Sequence, residues 1–369
     1  MGAASYMSST SQWFFPTTAL QRTPSRTTSA ISLEKELYDR ARGVEFLFRL
    51  GVSLQLPMSA MCTAATWFHR FYMRFSMEDY HRQDVAASCI FLATKTEECG
   101  RKLRDIARVF YSKVDKVQID TIKDDSKDLE SYQTAILQTE EALLEALCFD
   151  FVVDSPHAEL VDLFNARQEN IQLEECAWSI TNDTYRTPLC ILHPPRIIAA
   201  ACYILAQHIV EGPQSPSLDV RIASPAPSAS LPTPPSHRLV SPEASRFAVE
   251  HFGFNEVELA GVTECLNIIL EFYAAQDLNR FDYLEDVAAI PPPKMVATRE
   301  KLYKPFTREP VAKDEAQNTL VPGRSATGQS PLSSHGGNTP GTNKPQSRGW
   351  IPVKGTPQLF DVDTAHRID

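Results

Sequence analysis

The most suggestive group of functional side chains stands at the end of an apolar segment. From Val85 to Thr94 every residue is apolar or small, and Lys95, Glu97 and Glu98 follow directly. A helix without a polar face must be surrounded by other helices. Charges at the point where such a helix emerges suit the binding of a partner by ion pairing. The alternative is the solvated end of a core helix, because charged residues are common there.

The remaining reactive side chains do not form a catalytic pattern. The nine histidines are scattered, and neither a nucleophile motif nor a glycine-rich phosphate loop is present. His69 lies at helical spacing among aromatic residues, which favours a satisfied core or interface position. The eight cysteines include no CxxC pair and no metal-like Cys/His cluster. We therefore expect no enzymatic activity, no cofactor, no metal, and a reducing intracellular compartment.

Composition argues against two further classes of protein. The chain has 369 residues and a formal net charge of −10, whereas affinity for nucleic acid phosphates requires a basic surface. The longest apolar run, Leu189–Ala206, is interrupted by His193-Pro194-Pro195-Arg196, so it is too broken to cross a membrane. The polar, Ser/Thr-rich N-terminus shows no signal peptide. We expect neither direct DNA binding nor membrane insertion.

The elements that carry the charged segment are predicted to be helices. Ser32 is a candidate N-cap for a first helix, and Pro57 marks the start of a second that runs to Ser76. The apolar segment is the third, and apolar residues at helical spacing predict a fourth over residues 102–114 and a fifth over residues 129–147. The first half of the chain is therefore predicted to be a compact five-helix domain.

The second half repeats this pattern around a similar apolar third helix that follows Pro194-Pro195. The predicted fold is thus all-α, with two tandem five-helix repeats. Its predicted divisions are a flexible N-terminal arm (1–30), a first repeat (31–153), a second repeat (154–281) and a disordered tail (282–369). Residues 212–240 are rich in Pro and Ser and are interpreted as a disordered insertion, or as an intron retained in the gene model.

An ordered set of short motifs identifies a family. They are Trp13, Leu20, Pro24-Ser25-Arg26, Lys35-Glu36-Leu37, Leu54–Pro57, His69–Tyr72, Phe91–Glu98, Leu147–Phe151, Asp154–His157, Ala177-Trp178, Asn182-Asp183 and Pro194–Ala199. Together they resemble the transcriptional cyclins, most closely the cyclin T and cyclin K group. The likeness covers residues 13–281 without the insertion, and the order of the motifs makes it specific.

The resemblance implies a fold, a role and a site. The fold is two five-helix cyclin boxes, of which the first binds the kinase. The role is a regulatory subunit that activates a cyclin-dependent kinase acting on the RNA polymerase II C-terminal domain in the nucleus, which promotes transcription elongation. The kinase-binding residues implied by the family are Lys95, Glu98, Glu140, Phe149 and Phe151. Glu140 lies nine residues before Phe149, which is the spacing of the family.

Departures from the family and rival interpretations complete the expectations. Glu45 and Phe48 replace an apolar residue and a tryptophan of the substrate-docking patch of cell-cycle cyclins, so we expect that patch to be absent. One rival is a cyclin of another transcriptional kinase, of the Mediator type or the general-factor type. The other is a DNA-binding protein like general transcription factor IIB, although the acidic chain has no N-terminal zinc-ribbon cysteines.

Overall fold

The computed structural model describes residues 12–223, 246–277, 282–295 and 299–304. Within these ranges the chain forms helices and connecting loops but no strand, so the predicted all-α class is confirmed. The helices are α1 (Pro24–Thr27), α2 (Leu33–Ser53), α3 (Met58–Phe71), α4 (Arg82–Thr96), α5 (Leu103–Val114), α6 (Lys127–Ala146), α7 (Pro156–Ala166), α8 (Ile171–Thr184), α9 (Pro195–Glu211), α10 (Leu218–Ile222), α11 (Phe247–Phe252), α12 (Glu256–Ala274) and α13 (Asp282–Ala288).

Helix α4 is the centre of the first repeat. Nine of its residues are buried, and it packs against α2, α3, α5 and α6. Burial on every side follows from the absence of a polar face, because each side of the helix must be covered by an apolar neighbour. Its central position, predicted from the sequence, is confirmed. Lys95 is carried out of the core at the C-terminal end of this helix.

Helix α9 has the same position in the second repeat. It packs against α7, α8, α11 and α12, and all residues from Ile197 to Gln207 are buried. Pro195 occupies the first turn, where its missing N–H and its fixed φ are compatible with a helix. Each repeat is therefore built around an apolar helix of its own, α4 in the first and α9 in the second.

Helix α3 ends earlier than the sequence indicated. It stops at Phe71, and the chain turns where the prediction extended the helix to Ser76. The guanidinium of Arg40 on α2 donates hydrogen bonds to the carbonyl oxygens of His69 (3.0 Å) and Tyr72 (2.9 Å). Carbonyl groups in the last turn of a helix have no partner within it, and Arg40 supplies one.

Residues 12–30 of the N-terminal arm pack against the rest of the chain, in contrast to the flexible segment predicted for residues 1–30. Trp13 and Leu20 are buried, and the N–H of Phe15 donates to the carbonyl of Ile191 (2.9 Å). The two apolar side chains supply the buried area that compensates for ordering a Ser/Thr-rich segment.

The predicted insertion at 212–240 is also ordered in its first part. Helix α10 interrupts it, with Leu218 and Ile222 buried one turn apart. Arg221 is buried between them and donates to the side chain of Gln207 on α9 (3.0 Å). The prediction overlooked this apolar pair within the Pro/Ser-rich composition. Residues 224–240 lie outside the described part of the chain.

The predicted tail, 282–369, begins as part of the fold rather than as a disordered segment. Helix α13 packs on α12, and Asn267 donates to the carbonyl of Pro293 (3.0 Å). Arg299 pairs with Glu271 at 3.1 Å. The second repeat therefore extends beyond its predicted boundary, and the remainder of the tail lies outside the described residues.

A buried histidine joins the two repeats. His69 on α3 is completely inaccessible, and its Nε2 lies 2.9 Å from the carbonyl oxygen of Tyr185 in the second repeat. Because a carbonyl only accepts, Nε2 carries the proton, and Nδ1 faces the Arg40 guanidinium at 3.4 Å. Burial, reinforced by the charge of Arg40, lowers the pKa of His69 from 6.5 to about 3. The expectation of a satisfied core histidine is confirmed.

This histidine makes stability depend on pH. Below pH 6.5 His69 is protonated in the unfolded chain but stays neutral in the native protein. The free energy of unfolding therefore falls as the pH decreases toward 3. At pH 5 the loss from this residue is about 2 kcal/mol. Urea unfolding of wild type and His69→Gln at pH 7.5, 6 and 5 checks this. We expect the variant to lose about 2 kcal/mol less than wild type over this interval, whereas parallel curves would contradict the assignment.

Candidate functional site

The structure brings Lys95 and Glu140 together, although they lie on different helices. Lys95 is in the last turn of α4 and Glu140 is on α6, and their side chains form an ion pair. Glu140 is 7% exposed, whereas the side chain of Lys95 is 47% exposed. The pair therefore consists of an anchored carboxylate and an ammonium group at the surface.

The ammonium group of Lys95 is also held by an aromatic ring. Its Nζ lies 4.2 Å from the ring centroid of Phe91, one turn earlier on α4. A cation above an aromatic face is attracted by the ring quadrupole. Phe91 and Glu140 together fix the position of the charge at the end of α4. The sequence offered a signal for this contact in the i, i+4 spacing of Phe91 and Lys95.

Phe149 and Phe151 lie in the segment that follows α6 and leads to the second repeat. Phe149 is 66% exposed, which is unusual for such a large apolar side chain. Phe151 is half-buried, and its ring centroid lies 5.9 Å from that of Trp67, in an edge-to-face arrangement. One ring is therefore anchored in the first repeat, and the other is presented to solvent.

The backbone conformation explains how Phe149 becomes exposed. Cys148 and Phe149 both adopt the left-handed region, with φ of 52° and 56°. Residues other than glycine rarely adopt this region, and their presence there indicates that surrounding contacts hold the segment. The ring of Phe149 lies edge-to-face on that of Phe151, with centroids 6.3 Å apart, so the exposed ring rests on the anchored one.

Glu98 is separated from the other predicted site residues. It follows the end of α4 with a left-handed backbone (φ 53°) and an exposed side chain. Its neighbour Glu97 accepts a hydrogen bond from Thr63 (2.8 Å), but Glu98 forms no ion pair within the described part of the chain. Glu98 is therefore close to Lys95 in the sequence but makes no contact that joins it to the ion pair.

The sequence-based prediction missed one exposed apolar residue. Leu137 is 47% exposed on α6, three residues before Glu140. Its spacing places it off the buried stripe of Ile136, Thr139 and Leu143, and this is the signal that sequence analysis could have used. Leu137 precedes Glu140 by about one turn, so α6 presents an apolar side chain beside the ion pair.

The patch that corresponds to the substrate-docking site of cell-cycle cyclins is ionic in this chain. Glu45 accepts from Arg42 (2.8 Å) and lies 3.8 Å from Arg186 of the second repeat. Phe46 is buried and Phe48 is half-buried. A carboxylate paired with two guanidinium groups therefore stands where the resemblance implies an apolar wall residue.

The thiol and metal chemistry of the described residues is limited. All eight cysteines are free, and five of them are buried. Burial raises the pKa of Cys62 and of Cys176 to about 12, so these thiols stay protonated near neutral pH. Among the residues that the structure describes, no group of three His, Cys, Asp or Glu residues is placed to hold a metal ion. No helix in that part of the chain is long and apolar enough to span a bilayer.

Comparison with known proteins identifies the first repeat. The model of the cyclin N-terminal domain matches residues 12–152. Cyclin pch1 of Schizosaccharomyces pombe is 42% identical over 201 residues, which cover 53% of this chain and 58% of the relative. Cyclin-T1-4 of Arabidopsis thaliana is 34% identical over 53% of this chain and 37% of its own length. Cyclin-K of Danio rerio is 32% identical over 53% of this chain and 45% of its own length.

A solved structure supports the arrangement of helices. One chain of the yeast RNA Pol II CTD kinase CTDK-1 complex superposes with a TM-score of 0.55 and 19% identity, over 78% of this chain and 86% of that chain. At this identity the likeness concerns the fold. The matching segment spans less than two thirds of the length of the curated relatives named above. Residues 12–152 match the cyclin N-terminal domain, and the resemblance of the chain to the cyclin T and cyclin K group is confirmed.

Proposed function

We propose that the chain is the regulatory subunit of a nuclear cyclin-dependent kinase that phosphorylates the RNA polymerase II C-terminal domain and promotes transcription elongation. In this proposal the chain performs no chemistry of its own. The relatives that support it carry the names Cyclin-T and Cyclin-K, and the solved complex that shares the fold is a CTD kinase. The proposed kinase-binding residues are Lys95, Glu98, Glu140, Phe149 and Phe151.

The observation that carries the proposal is the surface around the Lys95–Glu140 pair. An exposed ammonium group is anchored by a buried carboxylate and an aromatic ring, and a 66% exposed phenylalanine follows the same helix that carries the carboxylate. Protein interfaces concentrate their binding energy in aromatic anchors and in charges that lose contact with water on binding.

Binding at this surface explains activation. The mobile αC helix of a kinase must lie inward so that its glutamate pairs with the lysine that holds the ATP phosphates. We expect Lys95 to donate to backbone carbonyls or carboxylates of that helix, and Phe149 to pack against its apolar side. A cyclin that contacts only the inward position of αC shifts the kinase population toward the active state.

Affinity purification of the tagged full chain, followed by mass spectrometry and a kinase assay on a C-terminal-domain repeat peptide, tests this proposal. We expect a cyclin-dependent kinase to co-purify and to phosphorylate the peptide. Recovery of a Mediator-associated or general-factor kinase would retain the role as a cyclin but would overturn the assignment to transcription elongation. Recovery of promoter factors without a kinase, with salt-dependent binding to duplex DNA, would overturn the proposal.

A further inference from the structure

The loop that carries the two proposed aromatic contacts is held by a residue far away in the sequence. Asp150 stands between Phe149 and Phe151, and its Oδ2 accepts a hydrogen bond from Nε1 of Trp13 at 2.9 Å. Trp13 belongs to the N-terminal arm, 137 positions earlier. We infer that Trp13 is a positioning residue for kinase binding, which holds the loop from Cys148 to Val153 in the conformation that presents Phe149. This inference rests on the proposed function.

The carboxylate of Asp150 connects the arm to the backbone of the loop. Its second oxygen accepts from the N–H of Val152 (3.2 Å), and Gln12 donates to the same oxygen as Trp13. Partial burial acts to raise the pKa of Asp150, but these hydrogen bonds, led by that of Trp13, hold it below its ordinary value. The side chain is therefore an ionised acceptor that ties the arm to the loop.

The indole ring is fixed from its face as well as from its edge. Trp13 is 2% exposed, and the guanidinium carbon of Arg70 lies 4.8 Å from the ring centroid. Arg70 also donates to the carbonyl oxygen of Val152 at 3.0 Å. Both Trp13 and Arg70 therefore contact the loop, and they contact each other. Removing one contact weakens the others, because such networks are cooperative.

The backbone of the loop shows why such support is needed. Cys148 and Phe149 are consecutive non-glycine residues in the left-handed region, which is an unfavourable conformation. The N–H groups of Cys148 and Phe149 donate to carbonyl oxygens in the last turn of α6 (3.0 and 3.2 Å), which holds the start of the loop. The contacts of Asp150 and Val152 hold the residues that follow. Without the arm, we expect Phe149 to sample several positions. Binding a kinase would then require ordering the loop, and this cost lowers affinity.

The test compares two variants of the same arm in the full chain. Trp13→Phe keeps an aromatic ring beneath Arg70 but removes the donor to Asp150. Thr17→Val removes a different hydrogen bond of the arm, which Thr17 donates to Glu264 on α12. Each variant loses one hydrogen bond of the arm, but only the bond of Trp13 is made to the loop. The probe is the purified kinase subunit that co-purifies with wild type, and the readouts are its Kd, the unfolding midpoint and hydrogen exchange of residues 148–153.

We expect Trp13→Phe to raise the Kd by about 5- to 30-fold, because a loop ordered in wild type must then be ordered on binding. Its exchange at 148–153 should also increase. Thr17→Val should leave the Kd within about twofold of wild type. Asp150→Ala is the second variant, and Trp13→Phe should add little to it, since Asp150→Ala removes the acceptor of the same hydrogen bond.

The outcomes separate the inference from the proposed function. Equal effects of Trp13→Phe and Thr17→Val on Kd would reduce Trp13 to a general stabiliser of the arm and overturn the inference. Unchanged exchange at 148–153 would overturn it as well, even where no kinase is present. A wild-type chain that binds no kinase would refute the proposed function, whereas the exchange measurement would still decide whether Trp13 orders the loop.

Discussion

Lys95→Ala is expected to raise the Kd for the kinase by about 30- to 4,000-fold, which corresponds to about 2–5 kcal/mol. The variant loses the donor that reaches the partner. It also leaves Glu140, which is 7% exposed, without its ion-pair partner at the moment when the kinase excludes water from the surface. A buried charge without a partner is the main source of such penalties. Isothermal titration of the full chain into the kinase subunit measures the change.

Substitution of Glu140, the partner of Lys95, is also expected to weaken kinase binding. Glu140→Gln keeps the volume of the side chain and removes the charge that anchors Lys95. We expect a smaller loss of affinity than for Lys95→Ala, because an amide oxygen still accepts from the ammonium group. The double variant should lose less than the sum of the two single variants, since both disrupt one pair.

A lysine on the same helix provides the control. Lys127 begins α6, about 20 Å along the helix axis from Glu140. Lys127→Ala removes the same charge from the chain, so it reports any effect of net charge on association. We expect its Kd to equal that of wild type within about twofold, which is the usual effect of a distant surface charge. Similar losses for Lys127→Ala and Lys95→Ala would indicate general electrostatic attraction and remove the specific role of the pair.

The helices of both repeats could be predicted because periodic patterns determine them locally. The apolar sides of α4 and the Pro194-Pro195 start of α9 are visible in the residues themselves, and their central positions follow from burial. The end of α3 was predicted wrongly because it depends on Arg40, a residue on another helix that supplies partners for its last carbonyls. Contacts between distant residues leave no periodic trace in either segment.

The segments at both ends show a related limit. Composition predicted disorder for residues 1–30 and 282–369, since Ser, Thr and Pro bury little area. A few residues reverse this outcome where they reach the core, among them Trp13 in the arm and Tyr303, which packs against Phe272 with ring centroids 5.5 Å apart. Single anchors of this kind are diluted when composition is averaged over a long segment.

The candidate site was partly predictable for a similar reason. Lys95 and Glu140 were paired through the resemblance to a family, and the structure shows the ion pair. The exposure of Phe149 could not be predicted, because two consecutive left-handed residues and a hydrogen bond between residues 137 positions apart leave no pattern in the sequence. The role of these residues in kinase binding remains the prediction that the variants of Lys95 and Trp13 test.

The second large effect is expected from Arg40 and concerns stability. Arg40 is 0% exposed and forms two hydrogen bonds, of 3.0 and 2.8 Å, with Oε1 of Glu36, which is 1% exposed. Arg40→Ala is expected to lower the free energy of unfolding by about 3–5 kcal/mol, because it leaves a buried carboxylate unpaired. It also removes the donors to the carbonyls of His69 and Tyr72 that end α3. Urea denaturation followed by circular dichroism measures the loss.

A double variant separates the effect of the unpaired buried charge from the effect of losing the Arg40 side chain itself. The double variant Arg40→Ala/Glu36→Leu removes both charges. Its loss of unfolding free energy should be about 2 kcal/mol smaller than the sum of the losses of the two single variants, as expected for a coupled pair. It should remain less stable than wild type, because the two carbonyls at the end of α3 still lack donors. Lys35→Ala disrupts the pair with Asp39 on the same helix, in which only the lysine is exposed. Because Asp39 keeps a second partner, Arg82, at 3.2 Å, we expect this variant to cost at most about 1 kcal/mol. If the Arg40 and Lys35 variants lost equal stability, burial would not be the reason that the Glu36–Arg40 pair stabilises the fold.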